Sequence, residues 1–259
     1  MNFNKQFVFR LVWVALVSLT AGFGSCVKTV AHPGAASLTL VNAFVASTPV
    51  YTNFADGKPL TYWYTAYMLN YGLFQSMDEM PFYSGTQKVS FFRYGDTSAH
   101  STPIINVAVD LPVGSYNTLF GIGTVDNPDT LFIRDHIPYY GMDSVAGIRF
   151  INVSPGSAPI SVNIMGQPNG SVVSSLPYKG VTDFIRFPAT SDVFDLVFEF
   201  RDAGSGNLLA SRRARAVGQP GETYSPNTWQ FKNNSMVLIG LPNASSYDSA
   251  QRVYIMNNY

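Results

Sequence analysis

Apolar and polar positions alternate with a period of two over much of this chain. Ile105, Val107, Val109 and Leu111 fall on one face of an extended segment, and Ile160, Val162 and Ile164 do the same. Phe194, Leu196, Phe198 and Phe200 alternate with Val193, Asp195, Val197 and Glu199. A period of two is the strand signature, because successive side chains point to opposite faces. The last pattern predicts four large side chains pointing inward together, with Asp195 and Glu199 solvated on the other face. Shorter runs at Leu38–Leu40, Val89–Phe92, Ser115–Phe120, Leu131–Ile133, Met236–Gly240 and Val253–Ile255 read as further strands. Turn signals separate them: Asp56-Gly57, Pro112-Val113-Gly114, Pro168-Asn169-Gly170 and Gly218-Gln219-Pro220-Gly221. No capped 3.6-residue period occurs between residues 36 and 259. Short strands between frequent turns predict an all-β chain of sandwich type.

The pattern is written twice. Ser37-Leu38-Thr39-Leu40-Val41-Asn42 returns as Gly147-Ile148-Arg149-Phe150-Ile151-Asn152, 110 positions later. That offset continues through Pro49/Pro159, Val50/Ile160 and Asn53/Asn163. Tyr71/Tyr178, Pro81/Pro188, Ser84/Ser191 and Phe91/Phe198 repeat at 107, and Tyr116/Tyr224 at 108. A drifting offset is what loop insertions leave in a duplicated domain. The expected architecture is two tandem β-sandwich domains, immunoglobulin-like or transthyretin-like, over residues 36–145 and 146–259. Leu40 should match Phe150, and Phe91 should match Phe198.

The start of the chain obeys other rules. Lys5 and Arg10 precede a short apolar run from Leu11 to Ala21. Eleven helical residues rise about 16 Å, short of a bilayer core of about 30 Å. The segment therefore reads as a signal peptide over residues 1–25. Gly24-Ser25-Cys26 resembles the bacterial lipobox, with Phe23 where leucine is usual. Cys26 is the expected lipid-bearing residue, and residues 26–35, with Pro33 and Gly34, form a tether. An acyl chain gains about 0.8 kcal/mol per buried methylene, so the expected place is the membrane. Lys28 follows the cysteine with no acid nearby, which favours the periplasmic side of an outer membrane over surface display.

Composition narrows the chemistry. Charged residues make up 12% and the formal net charge is zero, so nothing draws the chain to nucleic acid. One cysteine excludes an internal disulfide and a thiolate metal cluster. His32, His100 and His136 are scattered, and no paired-histidine or G-x-S-x-G motif occurs. Asp126-Asn127-Pro128-Asp129 lacks the alternation and distal glutamate of a calcium loop. Asp195 and Glu199 lie about 13 Å apart at strand rise, beyond the carboxylate spacing of glycosidases. Gly121-Ile122-Gly123 lacks a third glycine. Arg212, Arg213 and Arg215 form the one basic cluster, read as a charged edge that blocks edge pairing. Neither a cofactor nor a metal is expected. The aromatic stretch Tyr62, Trp63, Tyr64 and Tyr67 has no counterpart in the second copy. It is the candidate ligand-binding surface, with core packing as the alternative.

Three motifs carry a family resemblance: the opening strand ending in Asn42 or Asn152; Tyr71-Gly72 and Tyr178-Lys179-Gly180 leading to Pro81 and Pro188; and Gly114/Tyr116 with Gly221/Tyr224. Together they resemble a bacterial envelope family known as domain of unknown function 4397. The first copy departs by lacking Ser-Pro after Asn42 and by its aromatic insertion. The resemblance implies secreted or lipid-anchored β-domains and brings no catalytic residues. The expected function is a non-catalytic envelope lipoprotein that binds a partner protein or a glycan. The alternatives are a structural fimbrial or adhesin subunit and, more distantly, a hydrolase.

Overall fold

A computed structural model describes residues 34–60, 66–73, 78–221 and 227–258. Cys26, the leader and most of the tether fall outside these residues, as do Tyr62, Trp63 and Tyr64. Ala35, placed in the tether by sequence, already belongs to the first strand.

The first copy contributes β1 (Ala35–Asn42), β2 (Val50–Asn53), β3 (Tyr67–Leu69), β4 (Glu79–Tyr83), β5 (Gly85–Arg93), β6 (Ile105–Leu111), β7 (Tyr116–Gly123) and β8 (Pro128–Asp135). The second contributes β9 (Val145–Asn152), β10 (Ile160–Ile164), β11 (Val173–Leu176), β12 (Ile185–Pro188), β13 (Leu196–Asp202), β14 (Leu208–Ala214), β15 (Asn233–Ile239) and β16 (Arg252–Asn257). The strands form four sheets in the orders β4-β1-β7-β8, β3-β2-β5-β6, β12-β9-β15-β16 and β11-β10-β13-β14. The second pair of sheets repeats the first strand for strand. In each copy the first strand runs parallel to the seventh and antiparallel to the fourth. An immunoglobulin sandwich pairs its first strand with its second. That order is absent, which leaves the transthyretin-like alternative.

Three cores lie between four layers. Leu38, Leu40, Phe91 and Leu119 fill the first sandwich. Phe150, Phe198, Phe200 and Met236 fill the second. The third core joins the copies: Val41, Phe120 and Ile122 meet Ile151, Val237, Ile239, Tyr254 and Met256. The inner strands are therefore buried on both faces. Leu40 points into the first sandwich and its neighbour Val41 into the contact between copies. Phe150 and Ile151 do the same in the second copy. This explains why apolar side chains fall on both faces of Leu38–Val45 and Ile148–Val153, since a strand covered on two sides buries both. The polar residues within them, Thr39, Asn42, Arg149 and Asn152, are buried too.

Hydrogen bonds fix the equivalence of the copies. The buried Asn42 side chain donates to the Leu69 carbonyl (3.2 Å) and accepts from the Phe44 amide (3.2 Å). Asn152 donates to the Leu176 carbonyl (3.2 Å) and accepts from the Ser154 amide (3.1 Å). Each asparagine ties the end of an inner strand to the end of an outer one and satisfies backbone groups that the broken ladder leaves open. The backbone carbonyl of Asn42 accepts from Gly72, and that of Asn152 from Lys179. The offsets of 110 and 107 are thus geometric.

Elsewhere the register corrects the sequence alignment. Thr52 pairs with Phe91 and Val162 with Phe200, so Phe91 corresponds to Phe200 and not to Phe198. Ser37 pairs with Pro81 and Gly147 with Arg186, so Pro81 does not correspond to Pro188. Both slips are of two residues, which keep the side chain on its face and so leave no trace in the hydrophobic pattern. Ser37 pairs with Tyr116 and Gly147 with Asn233, which puts Asn233 in the place expected for Tyr224. The cause is a longer connection between β14 and β15, residues 215–232, against residues 112–115 in the first copy.

The inward set around Phe198 also needs correction. Phe198 and Phe200 are fully buried and Leu196 packs on the same core, but Phe194 precedes β13 and is 63% exposed. The opposite face is not simply solvated. Glu199 accepts from Asn163 (2.7 Å) and pairs with Arg201 (3.0 Å). Asp195 accepts from the Ala216 amide (3.0 Å) and pairs with Arg213 (3.5 Å).

Candidate functional site

The third core is flanked by polar groups supplied by both copies. On one side Arg149 of β9 meets Asp135 of β8 at 2.6 Å, with both side chains under 5% exposed. Arg149 Nε donates to Ser235 (2.6 Å), Thr118 donates to Asp135 (2.7 Å), and the guanidinium lies 4.8 Å from the Phe184 ring centre. A buried charge pair carries a desolvation cost, offset here by these added hydrogen bonds.

On another side lies a cleft of about 700 Å³, within the usual range of small-ligand sites. The loops 46–49 and 70–73 form one wall, and Arg212, Tyr247, Asp248 and the start of β16 form the other. Arg252 is its centre. Its guanidinium carbon lies 5.1 Å from the Tyr71 ring centre and 4.6 Å from that of Tyr247, and it donates to the Tyr247 carbonyl at 2.9 Å. Two rings fix the cation in place through cation–π attraction. Burial pushes the Tyr71 phenol up, with the Arg252 charge opposing. Tyr254 lines the floor. It is 7% exposed, its hydroxyl has no protein hydrogen-bond partner, and burial pushes its phenol up further. Gly72 sits at a φ of +61°, and a Cβ there would meet Ile239 Cδ1 at 2.9 Å and Arg252 Nη2 at 3.2 Å. Glycine brings the first-copy loop close against β15 and β16.

Of the residues singled out by sequence for binding, only Tyr67 falls among the described ones. It is half-buried in β3, packs on the first core, and donates its hydroxyl to the buried Asp78 at 2.8 Å. Burial and the Asp78 carboxylate push its phenol up. The cleft takes Tyr71 from the end of the same stretch, and Arg212 from the basic cluster. Arg252, Tyr247 and Asp248 escaped the sequence reading. No motif surrounds them, and their closeness to Tyr71 depends on how the two copies stack. His100 and His136 are exposed. His136 opens onto a separate depression beside Asp135 and Asp183, where Asp135 is already committed to Arg149. Among the described residues no three metal-ligating side chains converge.

The model of a family described as "domain of unknown function (DUF4397)" matches residues 36–163. That stretch matches the family, in line with the resemblance carried by the opening strand and the Tyr-Gly motif. The match runs through the whole first sandwich into β10. No curated protein matches significantly. Among solved structures, the chain is similar to a candidate adhesin from Bacteroides ovatus, at 9% identity over 91% of this chain and 99% of that one, TM-score 0.23. The fimbrial anchor protein Mfa2 from Porphyromonas gingivalis aligns at 11% identity over 87% and 97%, TM-score 0.25. A candidate polysaccharide-binding protein (DUF1812) from Bacteroides thetaiotaomicron aligns at 9% identity over 87% and 96%, TM-score 0.24. Superpositions this loose transfer no residue positions.

Proposed function

We propose that the chain is a non-catalytic, membrane-anchored lipoprotein of the cell envelope that binds a partner protein or a glycan in the cleft between its two sandwiches. Residues 1–25 act as the signal peptide and Cys26 carries the lipid. Residues 26–34 tether the two domains, 35–144 and 145–259, on the periplasmic side of the outer membrane. The observation that carries this reading is the cleft. Both copies build it, and it holds an aromatic-clamped arginine whose charge no described carboxylate neutralises within salt-bridge distance. A second observation weighs against the fimbrial alternative, in which a terminal strand would be exchanged between subunits. The last strand, β16, buries Val253 in one core and Tyr254 and Met256 in another, which makes it costly to displace.

Two experiments test the proposal. A photo-crosslinking residue at the exposed Leu73, on the cleft rim, should capture an envelope component, and the same residue at the exposed Leu208 should not. Equal capture from both positions refutes the cleft as the site. Cys26→Ser should abolish labelled-palmitate incorporation and move the protein to the soluble fraction. Unchanged fractionation refutes the anchor.

A further inference from the structure

The two copies make the same contact twice, with opposite charges. Gly72 and Lys179 are equivalents: both follow the paired tyrosines, both have positive φ (61° and 65°), and both donate to the asparagine carbonyl that ends the inner strand. Asp129 and Arg252 are also equivalents. Ile122 pairs with Asp129 and Ile239 with Arg252, at matching places in β7–β8 and β15–β16. The next residues, Gly123 and Gly240, share positive φ values of 81° and 91°. On one side of the stack Lys179 reaches across to Asp129 at 2.9 Å and closes the gap between copies with an ion pair. On the other side glycine replaces the lysine and arginine replaces the aspartate. The cation now stands on a strand instead of in the turn, and its acid is missing. What opens there is the cleft.

A need to join the copies would be met by keeping the pair. Instead Arg252 is held rigid between Tyr71 and Tyr247, and Arg212 adds a second positive charge to the same lining. Asp248 is the acid in that lining, and no ion pair joins it to Arg252. An arginine fixed by its neighbours loses little entropy on meeting a carboxylate, and its planar fork suits that group. The rest of the lining fits hydroxyls and a ring. Thr48 and Asn70 offer polar groups, and Tyr247, 82% exposed, offers a flat face.

The geometry points to an acidic saccharide as the ligand of this cleft, with a uronate carboxylate on Arg252 and a sugar ring against Tyr247. This rests on the binding-module reading above and names its ligand class.

The test is calorimetric titration of the full chain in detergent with a galacturonate trimer and, separately, with the neutral galactose trimer. The acidic trimer should bind at least about tenfold more tightly, the scale of one charge-assisted contact, and added salt should narrow the gap. Arg252→Gln should remove the preference. The double variant Gly72→Lys/Arg252→Asp should place an ion pair like Lys179–Asp129 across the gap, fold with a lowered Tm because the new Cβ displaces Ile239 Cδ1, and bind neither sugar. Equal binding of both trimers overturns the acidic class while the wider reading stands. An unaltered preference in a folded Arg252→Gln protein, or no binding of either trimer, overturns the proposal. Crosslinking from Leu73 needs no knowledge of the ligand, so it judges the binding-module reading separately.

Discussion

Phe120→Ala tests whether the two sandwiches are one folding unit. Phe120 is fully buried in the core shared between copies, beside residues of β9, β15 and β16. Truncating a buried Phe costs about 3–5 kcal/mol. The unit from Gly34 to Tyr259 is compact. At about 225 residues and roughly 2.1 cal/mol/K per residue, its unfolding entropy near 60 °C is about 0.47 kcal/mol/K, so the loss lowers Tm by roughly 6–10 °C. If the shared core couples the copies, scanning calorimetry of the wild type gives one transition whose calorimetric and van't Hoff enthalpies agree. The variant then gives one transition, shifted as a whole. Two transitions in the wild type, with only the first moved by Phe120→Ala, would mean that the copies fold independently and that the central apolar layer is a weak contact.

The same calorimetry serves three further variants. Phe198→Ala should cost about 3–5 kcal/mol, whereas Phe194→Ala, at a site 63% exposed, should change stability by no more than about 0.5 kcal/mol; equal losses would restore the inward register for Phe194. Asn152→Ala should cost about 1–3 kcal/mol, because it strands the Leu176 carbonyl and Ser154 amide, and a neutral effect would refute the clamp. Glu199 has its carboxyl held below the usual range, first by the Asn163 amide and then by Arg201. A depressed folded pKa gives stability that is present above the unfolded value and lost as pH falls through the folded one. Glu199→Gln should therefore flatten the stability profile below about pH 4.3, and an unchanged acid limb would count against the pair.

Much of the fold was legible because strand period and duplication are local signals. Asn42 and Asn152 announced equivalent strand ends, and the structure gives both the same hydrogen bonds. The stacking of the copies was not legible. Val41, Ile151, Val237 and Ile239 read as ordinary strand residues, and only the third core shows what their second face covers. Phe194 was misplaced because alternation says nothing about where a strand begins. β13 starts at Leu196, and the Phe194 carbonyl accepts from the Val217 amide outside the ladder. The cleft escaped for a different reason. Tyr71 and Arg252 are 181 positions apart in the chain, and no spacing rule relates residues brought together by a domain contact.

Duplication supplies an internal control on which features folding requires. Where backbone and side chains agree in both copies, as at Asn42 and Asn152, a shared structural demand accounts for them. The positive-φ turn at Gly72 and Lys179 is also shared, and Lys179 shows that the turn tolerates a side chain. Glycine at position 72 is therefore not required by the turn itself. What sets it apart is the neighbour: a Cβ there would meet Ile239 and Arg252, and a longer side chain would enter the cleft. In the other copy that space is taken up by the Lys179–Asp129 pair. Two copies with the same strand order thus make the same contact, one closed by an ion pair and the other open around an arginine gripped by two tyrosines. Stability alone favours closing both, because a filled contact excludes water and leaves no lone charge. The open one is where the chain departs from what folding asks of it, and departures of that kind are expected at functional sites.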